Sequence, residues 1–258
     1  MATVTVPAAR ELSTGDALRL EGVSRSFGAL KAVEDVSFAV AAGGRRAVIG
    51  ANGAGKTTLF NVITGDYAAS AGRVRFFGED VTAYPPFERI RAGMRRTYQS
   101  SQLFRNLSVR DNLFLAVRGV SRNRFSLLRS ATIQATDDIL ERVRLSHIAG
   151  ELVVSLSHGQ QRQLEIGMAL AGAPRLILFD EPAAGLSPGE RRELVALLRA
   201  LPAHMSFILI EHDLEIALRV VDRVTVMHNG RMLKEGTPAE IENDPEVQEI
   251  YMGRAGHA

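Results

Sequence analysis

At 258 residues, 46% hydrophobic and with a formal net charge of +2, the chain carries enough apolar material for a large core, or a core with a lobe. The absence of cysteine excludes disulfides, thiolate nucleophiles and cysteine-based metal sites, makes redox chemistry unexpected and agrees with a cytoplasmic protein. No run approaches the ~18 consecutive apolar residues of a membrane span, and the opening MATVTVPAARELSTGD lacks a basic region followed by an apolar one, so neither membrane crossing nor secretion is expected.

Residues 1–17 mix small, polar and charged residues without periodicity and read as a loose arm. Leu18, Leu20 and Val23 suggest a first strand and residues 36–40 (VSFAV) a second, with Ala42 and Gly43 turning the chain into a third at residues 45–49. Between the first two, Phe27 precedes a glycine in an expected turn. An aromatic there either packs into the core or stays exposed and stacks on a base.

The third strand runs into GANGAGKTT, Gly50 to Thr58, and an apolar run with helical spacing follows (Leu59, Phe60, Val62, Ile63). Gly50, four spacers (Ala51, Asn52, Gly53, Ala54), Gly55, Lys56 and Thr57 between a strand and a helix make the phosphate-binding loop pattern. The glycines let successive backbone N–H groups curl into a concave nest, and the helix adds the partial positive charge of its N-terminus. A triphosphate suits it: Lys56 reaches the β- and γ-phosphates, Thr57 holds Mg²⁺ through its hydroxyl, and Thr58 donates to the α-phosphate.

After a helix end at Gly65, residues 73–78 (RVRFFG) alternate like a strand with one wet face, Pro85 and Pro86 open a short helix toward Gly93, and residues 94–99 extend to deliver Gln99 into a loop. From there to about Ala171 apolar residues recur at three and four (Leu113, Ala116, Val117; Ile139, Leu140, Val143), which predicts a helical lobe inserted into an α/β body. Residues 118–130 hold four arginines and no acid, preceded by Arg89, Arg91, Arg95, Arg96, Arg105 and Arg110. Such a run is either a solvated face or a basic surface for an acidic partner or anionic headgroups. Nucleic acid is not expected, because no aromatics interleave at stacking intervals and overall charge is near neutral.

Ser157 with Gln160 three residues on predicts a capping box and a helix running to Gly172 and Pro174. Residues 175–182 (RLILFDEP) read as a strand buried on both faces that ends in Asp180 and Glu181, beside the phosphate loop where open α/β sheets place their ligands. Adjacent strand residues point oppositely, which leaves one acid for a metal and the other for a nucleophile. Ser187, Pro188 and Glu190 repeat the capping pattern; residues 206–210 form another buried strand ending at EHD; and Leu214, Ala217, Leu218 and Val221 stripe the next helix. Asn229 and Gly230 turn a hairpin, and Thr237 and Asp244 cap two last helices, each followed by proline.

The ordered set GANGAGKT, Gln99 in its loop, LSHGQ at 156–160, LILFDE at 176–181, AAGLSP at 183–188 and His212 after a strand resembles the ATP-binding subunit of ABC transporters over residues 18–254. The resemblance implies an α/β P-loop NTPase fold: an ABC-type ATPase core with an antiparallel β subdomain (18–99 and 173–236), an inserted α-helical subdomain (100–172), C-terminal helices (237–254) and a tail at 255–258. It implies that Asp180, with Thr57 and Gln99, serves Mg²⁺, that Glu181 orients or deprotonates the attacking water, that His212 contacts the γ-phosphate and that Lys56 acts with them. ATP then lies on Phe27 and Gly50 to Thr58, while Ser157, His158, Gly159 and Gln160 act on ATP bound by a second ATPase subunit, in a homodimer or heterodimer. Against the family pattern, His158 replaces the commoner glycine, Ser187 stands where many relatives carry aspartate, and Phe27 where tyrosine is common.

RTYQSSQLFRNLSV, FDEPAAGLSP, IEHD and the ending EGTPAEIENDPEVQEIYMG are similar to the ATPase subunits of branched-chain amino-acid importers. That implies an ATPase at the cytoplasmic face of the inner membrane, held there by transmembrane permease subunits and linked indirectly to a substrate-binding protein. Leu103, Phe104 and Leu107 beside arginines suit an amphipathic permease helix, or else pack internally. Two other readings are an ATPase of lipopolysaccharide export, whose tail has a similar Tyr-x-Gly segment, and a soluble ABC ATPase outside transport.

Overall fold

The computed structural model describes residues 15–97, 102–120 and 129–252. Alternating apolar and polar residues build a first, antiparallel sheet from β1 (Asp16–Phe27), β2 (Leu30–Ala41), β4 (Ala71–Phe76) and β5 (Glu79–Asp80), in the order β2-β1-β4-β5. β1 runs further than its leucines suggest. The three-residue step from Leu20 to Val23 breaks the strand period because the pairing with β2 shifts there, at Gly22 with φ 60°.

The second sheet joins β3 (Arg45–Gly50), β6 (Met94–Arg96), β7 (Leu176–Asp180), β8 (Ser206–Ile210), β9 (Arg223–His228) and β10 (Arg231–Gly236) in the order β10-β9-β3-β8-β7-β6. It is parallel throughout except for the β9–β10 hairpin, which turns at Asn229 and Gly230, both with positive φ as a two-residue turn requires. Every residue of β7 and β8 is buried. Their runs show no alternation because both faces are covered.

The two faces open onto two cores. Val48, Leu176, Leu178, Ile208 and Ile210 meet α1 (Lys56–Thr64) and the first sheet. Ala47, Ile49, Ile177, Phe179, Phe207 and Leu209 meet a helical layer. That layer comprises α3 (Val109–Val120), α4 (Arg129–Arg142), α5 (His158–Leu170), α6 (Pro188–Arg199) and α7 (Leu214–Val220). Of the sequence's helical stripe, Leu113, Val117, Ile139, Leu140 and Val143 are buried in it and Ala116 packs half-buried against it. α2 (Pro86–Ala92), α8 (Pro238–Glu242) and α9 (Pro245–Met252) complete the chain, with Ile241 and Val247 sealing the helical core from below. Among the described residues no helix is long and apolar enough to cross a membrane.

Several of the arginines read from the sequence as either a solvated face or a basic surface are instead drawn into the fold. Arg89 is buried at 2% exposure and donates to the carbonyls of Val62, Ile63, Thr82 and Tyr84, so it satisfies the C-terminal end of α1. Arg96 is likewise buried, and Arg110 pairs with Asp137. Residues 121–128, the middle of the arginine-rich run, lie outside the described residues.

Candidate functional site

β3 ends at Gly50 and α1 begins on Gly55, which takes φ 96° and ψ 2°. Only glycine suits that position, for the conformation is left-handed and a Cβ there would sit 2.3 Å from the Ala32 carbonyl oxygen. The loop is held from outside: Gly230 N–H donates to the Ala54 carbonyl at 3.1 Å. No side chain caps α1 and no acid stands in its first turn, so its N-terminal N–H groups face open space as an anion seat.

That seat is the floor of a cleft of about 1070 Å³ lined by Gly50 to Thr58, by Leu30 to Ala32, by Asn229 and Gly230, and by Glu181 and His212. Lys56 is 5% exposed, its ammonium donating to the carbonyls of Gly50 at 2.7 Å and Ala51 at 3.0 Å. Burial lowers its pKa, and the charges of Glu181 and Asp180 oppose the shift. The ammonium is thus held within the loop by two of the loop's own carbonyls.

Asp180 closes β7 on the face shared with Leu176 and Leu178, toward α1. Its Oδ2 meets Arg96 Nη2 at 2.6 Å, with both side chains almost wholly buried. Arg96 also bonds Asn61 and Asp66, so one guanidinium ties β6 to α1 and to the acid. Burial raises the pKa of Asp180, and the hydrogen bond and charge of Arg96 pull it back. Asp180 Oδ1 is buried and makes no hydrogen bond among the described residues. A buried carboxylate oxygen left open at the end of β7 fits a hard cation that takes oxygen ligands and keeps its waters, as Mg²⁺ does.

Glu181 departs from the strand rather than alternating with Asp180. It takes φ 49°, in the left-handed region, and its N–H donates to the Ile210 carbonyl at 3.0 Å. The two acids are thus separated by a backbone turn that a non-glycine residue adopts at a cost of about 1–3 kcal/mol, not by the pleat. The turn brings Glu181 Oε1 to 2.6 Å from His212 Nε2.

Beneath this pair lies Glu211, 3% exposed. Its two carboxylate oxygens accept the N–H groups of Ala183 at 2.8 Å and His212 at 3.2 Å, joining the segment after β7 to the segment after β8. Burial pushes its pKa up to about 7, those two N–H groups oppose the shift, and the charges of Glu181 and Asp213 add to it.

LSHGQ stands elsewhere. Ser157 caps α5 with the expected capping box: its Oγ accepts the Gln160 N–H at 3.2 Å, and Gln160 Oε1 accepts the Ser157 N–H at 2.8 Å. His158 Nε2 lies 3.2 Å from the Ala184 carbonyl oxygen, so the residue that departs from the family pattern pins this helix to the AAGLSP segment. Ser157, His158, Gly159 and Gln160 do not line the cleft. Nor does Phe27, which is 41% exposed at the end of β1, edge-on to Tyr67 and under the Arg25 guanidinium. Gln99 lies outside the described residues. Sequence reasoning missed Leu30 to Ala32, Asn229, Arg96 and Glu211, whose places are set by contacts across the fold.

An uncapped glycine-rich helix start, a buried lysine within it and two differently turned acids at a central strand end define a P-loop nucleoside triphosphatase site. The family profile described as ABC transporter matches residues 33–184, and one described as branched-chain amino acid ATP-binding cassette transporter matches residues 235–257. The chain belongs to the ATP-binding family of ABC transporters, whose members hydrolyse ATP. It is 34% identical over 250 residues to the high-affinity branched-chain amino acid transport ATP-binding protein BraF of Pseudomonas aeruginosa, covering 92% of this chain and 98% of that one. It is 36% identical over 250 residues to the corresponding protein LivG of Escherichia coli, with the same coverage. Among solved structures, a nucleotide-free ATP-binding cassette from an ABC transporter superposes with a TM-score of 0.81 at 36% identity, covering 92% of this chain and 98% of that one. The ADP conformation of another cassette gives 0.82 at 34% identity, covering 93% and 100%.

Proposed function

We propose that this chain is the ATP-hydrolysing subunit of an importer for branched-chain or related hydrophobic amino acids, working as a dimer with a second copy or a sister ATPase. One observation carries the reading: Glu181 and His212 meet over the cleft floored by Gly50 to Thr58. The two matched relatives named for branched-chain amino acid transport, together with the profile over residues 235–257, support the cargo class over lipopolysaccharide export or work outside transport.

In this reading the loop N–H groups and Lys56 bind the β- and γ-phosphates, Thr58 meets the α-phosphate, and Phe27 stacks on the base. Thr57, Asp180 and Gln99 would hold Mg²⁺, which when bound would neutralise phosphate charge. Glu181 takes a proton from water as the water oxygen bonds to the γ-phosphorus, ADP departs with the electrons of the broken bond, and His212 steadies the transferred phosphoryl group. Ser157, His158, Gly159 and Gln160 complete the site on ATP held by the other subunit, because they lie off the chain's own cleft. Residues 18–99 and 173–236 act as the core, 100–172 as the helical subdomain and 237–254 as C-terminal helices.

The permease seat is the groove beside Leu103. A cavity of about 260 Å³ lies among Arg95, Thr97, Leu103, Ala116 and Met168. Nearby, Phe104 is exposed, with Leu152 and Val154 on the chain segment that hydrogen-bonds its loop. A cytoplasmic permease helix covers them and keeps the subunit at the inner face of the membrane, with the substrate-binding protein reached through the permease. Pull-down from membranes with Glu181→Gln in ATP tests this: permease subunits and an amino-acid-binding protein are expected, and lipid-export components or no membrane partner would overturn it.

A further inference from the structure

One carboxylate at a helix N-terminus has no part in the proposed hydrolysis. Glu190 sits at the third position of α6, where it completes the capping box of Ser187: Oε2 accepts the Ser187 N–H at 2.9 Å and its hydroxyl at 2.8 Å. Its other oxygen reaches another helix. Oε1 accepts the Gly159 N–H at 2.9 Å and lies 3.4 Å from Ser157 Oγ, both at the N-terminus of α5. The approach is close enough that a Cβ on Gly159 would stand 2.5 Å from Oε1 and 2.7 Å from Cγ, so glycine there is what admits the carboxylate. Hydrogen bonds from Ser187 and from Gly159 hold the Glu190 pKa below the ordinary glutamate value, so the group is an anion at neutral pH.

We infer that in the nucleotide-free chain Glu190 occupies the α5 N-terminus as a stand-in anion, and that the γ-phosphate of a second subunit's ATP must displace it before the dimer closes. The inference rests on the composite site proposed above. An N–H donates well to one acceptor at a time, and the Gly159 N–H already has one. A γ-phosphate arriving at the same donors meets a resident negative charge until Glu190 leaves. The departure is local, because the Ser187 half of its bonds is internal to α6 and can persist while the α5 half breaks. Losing that half loosens the start of α6 from α5, while the approach of His158 Nε2 to the Ala184 carbonyl still holds the 183–188 segment against α5.

The test is ATP-driven association of the Glu181→Gln chain, alone and with any sister ATPase that co-purifies with it, followed by sedimentation velocity with and without Glu190→Gln. Removing the charge removes the competitor, so half-association is expected at roughly three- to tenfold lower ATP. Glu190→Asp, which still caps α6 but is one methylene short of Gly159, is expected to move the same way and guards against a fold defect in either variant. Hydrogen exchange at the Gly159 amide of the nucleotide-free monomer is expected to speed up in both. Association with an unchanged or raised ATP requirement overturns the inference alone, since a carboxylate that only glued α5 to α6 would weaken closure when removed. A chain that stays monomeric in ATP whatever stands at position 190 overturns the composite site and this inference with it.

Discussion

His212 Nε2 and Glu181 Oε1 lie 2.6 Å apart, and each reaches the other from the end of a neighbouring parallel strand, β8 and β7. That contact joins the two side chains into one unit. Glu181→Gln is expected to retain ATP binding and lower turnover by ~10²-fold or more. His212→Ala alone is expected to cost turnover as well, and the double variant far less than the product of the two. Steady-state hydrolysis of the four proteins checks this. Independent, multiplicative losses would mean that the pair acts as two separate groups.

Arg96 and Asp180 form a second pair, buried at 5% and 1% side-chain exposure. Breaking a buried pair leaves an uncompensated charge, and the usual cost is about 3–5 kcal/mol. Arg96→Ala is expected to lose stability on that scale in urea unfolding at neutral pH. Adding Asp180→Asn is expected to restore part of it, since the neutral amide no longer needs a counter-charge. A loss under about 1 kcal/mol for Arg96→Ala would show that water reaches Asp180 and screens it.

What the sequence disclosed and what it hid divide along the range of the interactions. The capping boxes at Ser157, Ser187 and Thr237 and the turn at Asn229 and Gly230 were legible because each is written within four residues. The phosphate loop was legible for the same reason, its strand and helix flanking it directly. Arg89 read as surface charge because nothing beside it in sequence shows the orphan carbonyls of α1 that it serves from 26 and 27 residues away. Glu211 read as the start of EHD, and Glu190 as a cap alone. The second task of each is a contact about 30 residues off, between strand or helix ends that only the folded sheet brings together.

Gly55 isolates the loop from the rest of the fold. Gly55→Ala places a Cβ 2.3 Å from a backbone carbonyl oxygen, which no rotamer change relieves, in a conformation costing an L-residue about 1–2 kcal/mol. The strain falls on the nest, whose cooperation with the helix N-terminus binds phosphate. Affinity for a fluorescent ATP analogue is expected to fall at least about tenfold while far-ultraviolet circular dichroism stays unchanged. Undiminished affinity would mean that the loop can bind nucleotide in another conformation.

Glu211 gives the chain a pH dependence of definite sign. Its pKa rises from the ordinary 4.5 to about 7 on folding, so between those values the folded chain holds a proton that the unfolded chain has released. Raising the pH through that window therefore favours unfolding, and the full change is about 3 kcal/mol by linkage. The contribution is fully present below the ordinary value of 4.5, declines as the pH rises from there, and is lost above the folded value of about 7. Other carboxylates with lowered pKa values, such as Glu235 and Asp244, push the other way, so the wild type alone does not isolate the effect. The difference between wild type and Glu211→Gln does, because every other group is common to both. Wild-type stability minus that of the variant, taken from urea unfolding at pH 5, 6, 7 and 8, is expected to decline steadily with pH. A flat difference would place the Glu211 proton in the ordinary carboxylate range, and a rising one would mean that the N–H groups of Ala183 and His212 outweigh the cost of burying the charge.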